Sequence, residues 1–169
     1  MRGWGDGLPV PELALEIARA VRDARGRALV VGGWVRDRAL GLDPKDLDIE
    51  VFGIAAPALR TLLERLGRVD AVGESFTVYK IGGHDVSLPR RESKTGRGHK
   101  GFTVEGDPHL SFEDAARRRD FTINAMSWDP LTGETVDPFH GADDLKAGLL
   151  RAVDETTFAD DSLRVLRAV

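Results

Sequence analysis

Residues 30–52, VVGGWVRDRALGLDPKDLDIEVF, constrain the fold more than any other part of the chain. ALVV at 28–31 is a short apolar run of the kind buried in a sheet, and GGWVRDRALG reads as a glycine turn into a helix closed by Gly41. DLDIEVF at 46–52 then alternates strictly, with Leu47, Ile49 and Val51 on one face and Asp46, Asp48 and Glu50 on the other. A strand, turn, helix unit followed by such a strand requires a sheet with one packed face and one acidic face.

Elsewhere the periodicity is mostly readable. Leu13, Ile17, Ala20, Val21 and Ala24 predict an amphipathic helix over 11–25, ended by Gly26. Residues 56–66 resemble a helix, and RVDAV, FTVYKI and HDVSLP read as short strands, with IGGH at 81–84 as a hairpin turn. The stretch rich in glycine and charge over 91–106 reads as a mobile loop. SFEDAARRRDFTINAMSW, with Ser111 and Asp114 in capping spacing, reads as mainly helical, and Phe121, Ile123 and Met126 within it are assigned to the core. DPLTGETVDP suits a small hairpin or turn, and DSLRVLRAV begins a further helix.

Composition narrows the chemistry. The 169 residues suffice for one ordinary domain with a core, and 41% hydrophobic with 31% charged residues indicates a globular chain. Without cysteine there is no thiolate metal site, so a metal must be held by oxygen or imidazole, which favours hard cations. No apolar run has membrane-spanning length and MRGWGDGLP lacks a signal-peptide core, so the expected location is cytoplasmic. A net charge of −4 argues against a uniformly basic coat. Basic charge is nevertheless concentrated: Arg90, Arg91, Lys94, Arg97 and Lys100 stand against Glu92, and Arg117, Arg118 and Arg119 form a second cluster.

Asp46 and Asp48, two apart on a strand, present neighbouring carboxylates suited to a divalent cation, although such a pair alone equally suits a solvated strand face. Gly32 and Gly33 between strand and helix offer backbone N–H groups to an anion, although a bare glycine pair more often marks just a tight turn, and Arg36 on the first helical turn suits the same anion or equally a surface carboxylate. Neither a P-loop nor a dinucleotide fingerprint is present. A triphosphate held by Gly33 and Arg36, bridged by Mg²⁺ to Asp46 and Asp48, accounts for the whole stretch, and Asp85 in HDVSLP is the best third carboxylate.

Taken together, GGWVRDRALG, KDLDIEVFG, RRRDFTINAM, DPFHGADDLKAGLLRAV and DDSLRVLRAV resemble the bacterial class II tRNA nucleotidyltransferase (CCA-adding enzyme) and poly(A) polymerase family of the polymerase β superfamily. The resemblance implies an α/β (α+β) fold: a small mixed-sheet nucleotidyltransferase head with flanking helices at 28–138, an N-terminal helix at 1–27 packed on it, and the start of an all-helical neck at 139–169. By motif, Gly33 and Arg36 hold the triphosphate, Asp46 and Asp48 bind Mg²⁺ (or Mn²⁺), and Asp85 completes the catalytic carboxylates. Arg119 contacts the nucleotide with Asp120 and Asn124 in support, Asp161 and Arg164 read the base edge of CTP or ATP, and Arg167 adds a further contact. The implied partners are CTP, ATP and a tRNA or other RNA 3′ end. The implied reaction is addition of CMP or AMP to that end, with CCA, CC-only and poly(A) addition sharing these head residues. Family members continue past DDSLRVLRAV, so either a longer enzyme or a further polypeptide is expected to supply the remaining helices. An inactive nucleotide- or RNA-binding module is the rival reading.

Overall fold

The computed structural model describes residues 7–44, 47–73, 76–94 and 102–158. Helix α1 (Glu12–Asp23) leads into strand β1 (Arg27–Val31), the short helix α2 (Gly33–Ala39) and strand β2 (Asp48–Phe52). Helix α3 (Ala56–Glu64) is followed by β3 (Asp70–Val72), β4 (Val78–Ile81) and β5 (His84–Ser87). Strands β6 (Arg90–Lys94) and β7 (Phe102–Gly106) precede α4 (Phe112–Arg117), a 3₁₀ turn (Thr122–Asn124), β8 (Ser127–Trp128), β9 (Thr135–Val136), α5 (Gly141–Ala147) and α6 (Glu155–Phe158). Seven strands form one mixed sheet in the order β3-β4-β5-β2-β1-β8-β9, with β2 and β5 parallel and the other neighbours antiparallel.

Strand parity assigns the faces. Ala28, Val30, Ile49, Val51, Ile81 and Val86 enter one core with Ile17 and Val21 of α1 and Leu59 and Leu63 of α3. Leu29, Val31 and Phe52 point the other way and are covered by Ala115 and Phe112 of α4, the Phe52 and Phe112 rings meeting edge to face at 4.7 Å. Helix α4 packs on this face through Ala115 and Phe112, while Asp48 at the start of β2 stays exposed. The turn between β4 and β5 uses Gly82 and Gly83, both at positive φ, as a two-residue hairpin demands.

Helix α1 closes through Arg25 at φ 67°, and Gly26 follows where a Cβ would lie 2.7 Å from the Phe52 carbonyl oxygen. Two segments depart from the expectations. Within the stretch over 91–106, read as a loop, the described residues pair as antiparallel strands β6 and β7 with Arg90 opposite Gly106, where cross-strand pairing overrides polar composition, and residues 95–101 lie outside the described residues. The segment after Ser111 is not mainly helical. Ser111 does cap α4 by accepting from the Asp114 N–H at 3.1 Å, but the helix lasts six residues and the chain returns to the sheet as β8 and β9. Phe121 and Met126 are buried, whereas Ile123 is only half-buried.

Asp144 of α5 ties the 3₁₀ turn to the following chain: the buried Thr122 hydroxyl donates to its Oδ2 at 2.7 Å, and Arg151 Nε lies 3.1 Å from the same oxygen. The Thr122 hydroxyl, then Arg151, hold this carboxyl below the usual carboxylate range. A depressed carboxyl stabilises the fold above the ordinary range and loses that contribution as pH falls through the depressed value. Thr122→Val is expected to lower Tm by about 5 °C at neutral pH, with the gap closing in strong acid, as thermal unfolding across pH will show.

Candidate active site

The open end of the sheet carries two carboxylates in register. Asp48 begins β2 and pairs with Asp85 on the parallel strand β5, and the Asp85 N–H donates to the Leu47 carbonyl at 3.2 Å. Partial burial, then repulsion from Asp85, push the Asp48 carboxyl up; Arg119, Lys80 and Arg90 oppose the shift. Lys80 on β4 places its ammonium 2.7 Å from Asp85 Oδ1. Two hard-oxygen donors that repel each other and recruit an ammonium suit a divalent cation. Among the described residues there is no group of three or more His, Asp or Glu side chains able to hold a metal. Asp46, the other carboxylate nominated from sequence, lies outside the described residues, as do Asp161, Arg164 and Arg167.

Beside Asp48, the chain leaves β1 through Gly32, whose backbone at φ 76° and ψ −150° belongs to a region almost closed to other residues, and enters α2 at Gly33. Helix α2 has seven residues, and Arg36 on it and Arg119 beside Gly32 bring positive charge to this end. Arg36 donates from Nη1 to Asn124 Oδ1 at 2.8 Å and pairs with Asp37 at 2.7 Å. Asn124 in turn donates to Asp120 Oδ1 at 3.2 Å. Two motifs far apart in sequence, GGWVRD and RRRDFTIN, therefore meet through Arg36, Asn124 and Asp120.

A cleft of about 460 Å³ joins these parts, lined by Gly32, Gly33, Arg36, Asp48, Arg118, Arg119, Asp120 and Asn124, with Arg90 and Glu92 from β6 on its far wall. Asp85 sits one strand over from Asp48 and is not among the lining residues. The three consecutive arginines divide: Arg117 is exposed and pairs with Glu113 at 2.6 Å, while Arg118 and Arg119 turn into the cleft. Burial, then the neighbouring Arg119, lower Arg118 to about 10, and the same two causes lower Arg90, whose guanidinium lies 4.4 Å from the Phe76 ring centre. Like charges held this close in partial burial favour an incoming polyanion.

The structure brings Gly33, Arg36, Asp48, Arg119, Asp120 and Asn124, all nominated from sequence, around one space, with Asp85 on the adjacent strand. Sequence reasoning missed Arg90 and Glu92 as cleft walls, because their strand was read as a loop, and it took Glu50 for part of an exposed acidic face. Glu50 is only 3% exposed. The signal was present: Phe52 shares its parity, and an apolar residue two places on shows that this face is covered.

The Poly A polymerase head domain family matches residues 28–151. The Multifunctional CCA protein of Xanthomonas oryzae pv. oryzae is 44% identical over 141 residues, which is 82% of this chain and 33% of that protein. The Multifunctional CCA protein of Aromatoleum aromaticum is 46% identical over 144 residues, 83% of this chain and 33% of the relative. Among solved structures, a CCA-adding enzyme in an apo form superposes with a TM-score of 0.76 at 29% identity, covering 95% of this chain and 39% of that one. The Thermotoga maritima CCA-adding enzyme complexed with tRNA superposes at 0.73 with 28% identity, covering 98% and 38%. The chain spans about a third of the length of the curated relatives. The match over most of its length, shared with relatives above 40% identity, shows that this chain belongs to the Poly A polymerase head domain family.

Proposed function

We propose that this chain is the catalytic head of a metal-dependent, template-independent nucleotidyltransferase that adds CMP and AMP from CTP and ATP to a tRNA 3′ end. The observation that carries the reading is the meeting, around one cleft, of Asp48, in register with Asp85 on the next strand, with the Gly32–Gly33 turn, Arg36 and Arg119. Relatives named as CCA proteins, and similar structures solved with tRNA, CTP or ATP, support the substrate classes. In this reading residues 28–138 are the head, 139–169 begin the base-recognising neck, and 1–27 are an accessory helix.

Asp46 and Asp48 hold a divalent cation, with Mg²⁺ the natural choice for carboxylate oxygens, and Asp85 is the third catalytic carboxylate. The hard-oxygen donor set and the raised Asp48 carboxyl fit such an ion. When bound, it would supply charge neutralisation at the polyphosphate and activation of the attacking hydroxyl. The Gly33 amide and Arg36 grip the triphosphate, with Asn124 and Asp120 fixing the Arg36 guanidinium. Arg119, beside the Gly32 turn, orients the nucleotide. Asp161 and Arg164 read the base edge, and Arg167 adds a nucleotide contact. Positioning and electrostatic complementarity carry the rate enhancement, since phosphoryl-type transfer asks little covalent chemistry of the protein.

Incubation with tRNA lacking its 3′ CCA and with CTP and ATP, followed by sequencing of the products, tests the reading. Addition of C, C and A is the expected result. A run of A alone would assign poly(A) addition, and CTP and ATP binding by calorimetry without any incorporation would overturn the transferase reading in favour of a binding module.

A further inference from the structure

Glu50 has no role in the reading above, yet its setting is unusual. It lies one alternation past Asp48 on β2, facing the same way, opposite Leu29 and Ser87 on the flanking strands. It is 3% exposed, and a carboxylate so buried is tolerated only when paired. Its Oε2 lies 3.3 Å from Arg119 Nη2 and 3.7 Å from Arg118 Nη2. Both arginines fall just after α4 ends at Arg117, so helical geometry no longer dictates where their long side chains go. Both line the cleft, together with Arg90.

We propose that Glu50 is a positioning residue: its buried carboxylate is the shared counter-ion that gathers Arg118 and Arg119 and aims them at the phosphates of a nucleotide in the cleft. The proposal rests on the nucleotide reading of that cleft. Arg118 and Arg119 sit close enough to repel, and Arg119 also repels Arg90; Glu50 is attractive to both Arg118 and Arg90. Without a central negative charge the guanidinium groups separate. The side chain thus prepares a rigid cation pair before the anion arrives, which lowers the reorganisation that binding would otherwise require. Glu50 touches no reacting atom in this arrangement and acts only through the arginines.

Two mechanisms predict opposite signs for Glu50→Gln. If Glu50 were merely a negative charge near the cleft, removing it would tighten binding of any polyphosphate. If it positions the arginines, CTP with Mg²⁺ binds about tenfold more weakly, despite the extra positive charge, because two charge-assisted contacts lose their geometry. Calorimetric titration of the 169-residue chain and of Glu50→Gln with CTP and Mg²⁺ reads the sign, and unchanged or tighter binding overturns the proposal. A second measurement needs neither variant nor nucleotide: in the wild-type chain the Arg118 and Arg119 guanidinium groups should show resolved, slowly rotating Nη resonances by nitrogen-15 NMR. Freely rotating, averaged signals overturn the proposal even if Glu50→Gln does not fold. A wild-type chain with immobile guanidinium groups but no affinity for CTP would overturn the nucleotide reading while supporting the ion-pair role.

Discussion

Asp48→Asn is expected to lower nucleotide transfer by about a thousandfold or more while making the metal-free chain slightly more heat-stable. The loss follows from removing one oxygen anion where a divalent cation has to be held. The gain follows from the register of β2 and β5, which sets Asp48 beside Asp85. Partial burial, then Asp85, raise the Asp48 carboxyl above its ordinary range, so the folded state binds a proton there more readily than the unfolded chain. Stability therefore falls as pH rises from the ordinary carboxylate range through the raised value, and asparagine escapes this penalty. Thermal unfolding should show the variant about 2 °C above wild type at neutral pH, level with it in acid, and below it once saturating Mg²⁺ is added, since only the wild type gains from the ion. Retention of normal transfer by the variant would refute the metal assignment.

Gly32→Ala is expected to have the second-largest effect. At φ 76° and ψ −150° the residue occupies a conformation that a Cβ makes costly, about 1–3 kcal/mol, although the added methyl would meet nothing nearer than Arg119 Nη1 at 3.8 Å. The penalty is conformational rather than a clash. A Tm loss of about 5–10 °C is expected, with CTP binding weakened about tenfold because relaxation of the turn moves both Gly33 and Arg36. Gly33→Ala separates the two causes. Position 33 is not at positive φ, but its Cβ would lie 3.2 Å from Arg36 Nη2. Nucleotide binding should weaken there with little change in Tm; equal Tm losses in the two variants would show that backbone strain is not what distinguishes Gly32.

Local patterns were legible wherever periodicity and turn chemistry agreed. The apolar run, glycine turn and helix at 28–41 appear as β1, Gly32 and α2, and the glycine hairpin between β4 and β5 appears where two consecutive glycines permit positive φ. Asp48, Asp85 and Arg36 were nominated from spacing and turn chemistry, whereas Arg119 was nominated through the family resemblance. The pairing of β6 and β7 was illegible because Arg, Glu, Ser and Lys are poor strand formers, and cross-strand bonding outweighs that preference. Helix α4 was overextended because RRRD looks like a solvated helical face until its last two arginines acquire a buried partner.

The alternation in DLDIEVF was enough to place Asp48 and Glu50 on one side of a strand, and nothing beyond residue order is needed for that. Which of the two stays open to the cleft and which is buried against arginines was decided by the chain just after α4, with Arg119 lying 69 residues beyond Glu50. Strand parity is a property of neighbouring residues. Burial and charge pairing depend on what packs against them from afar, so only the tertiary structure could separate a cation-binding carboxylate from one that organises its surroundings.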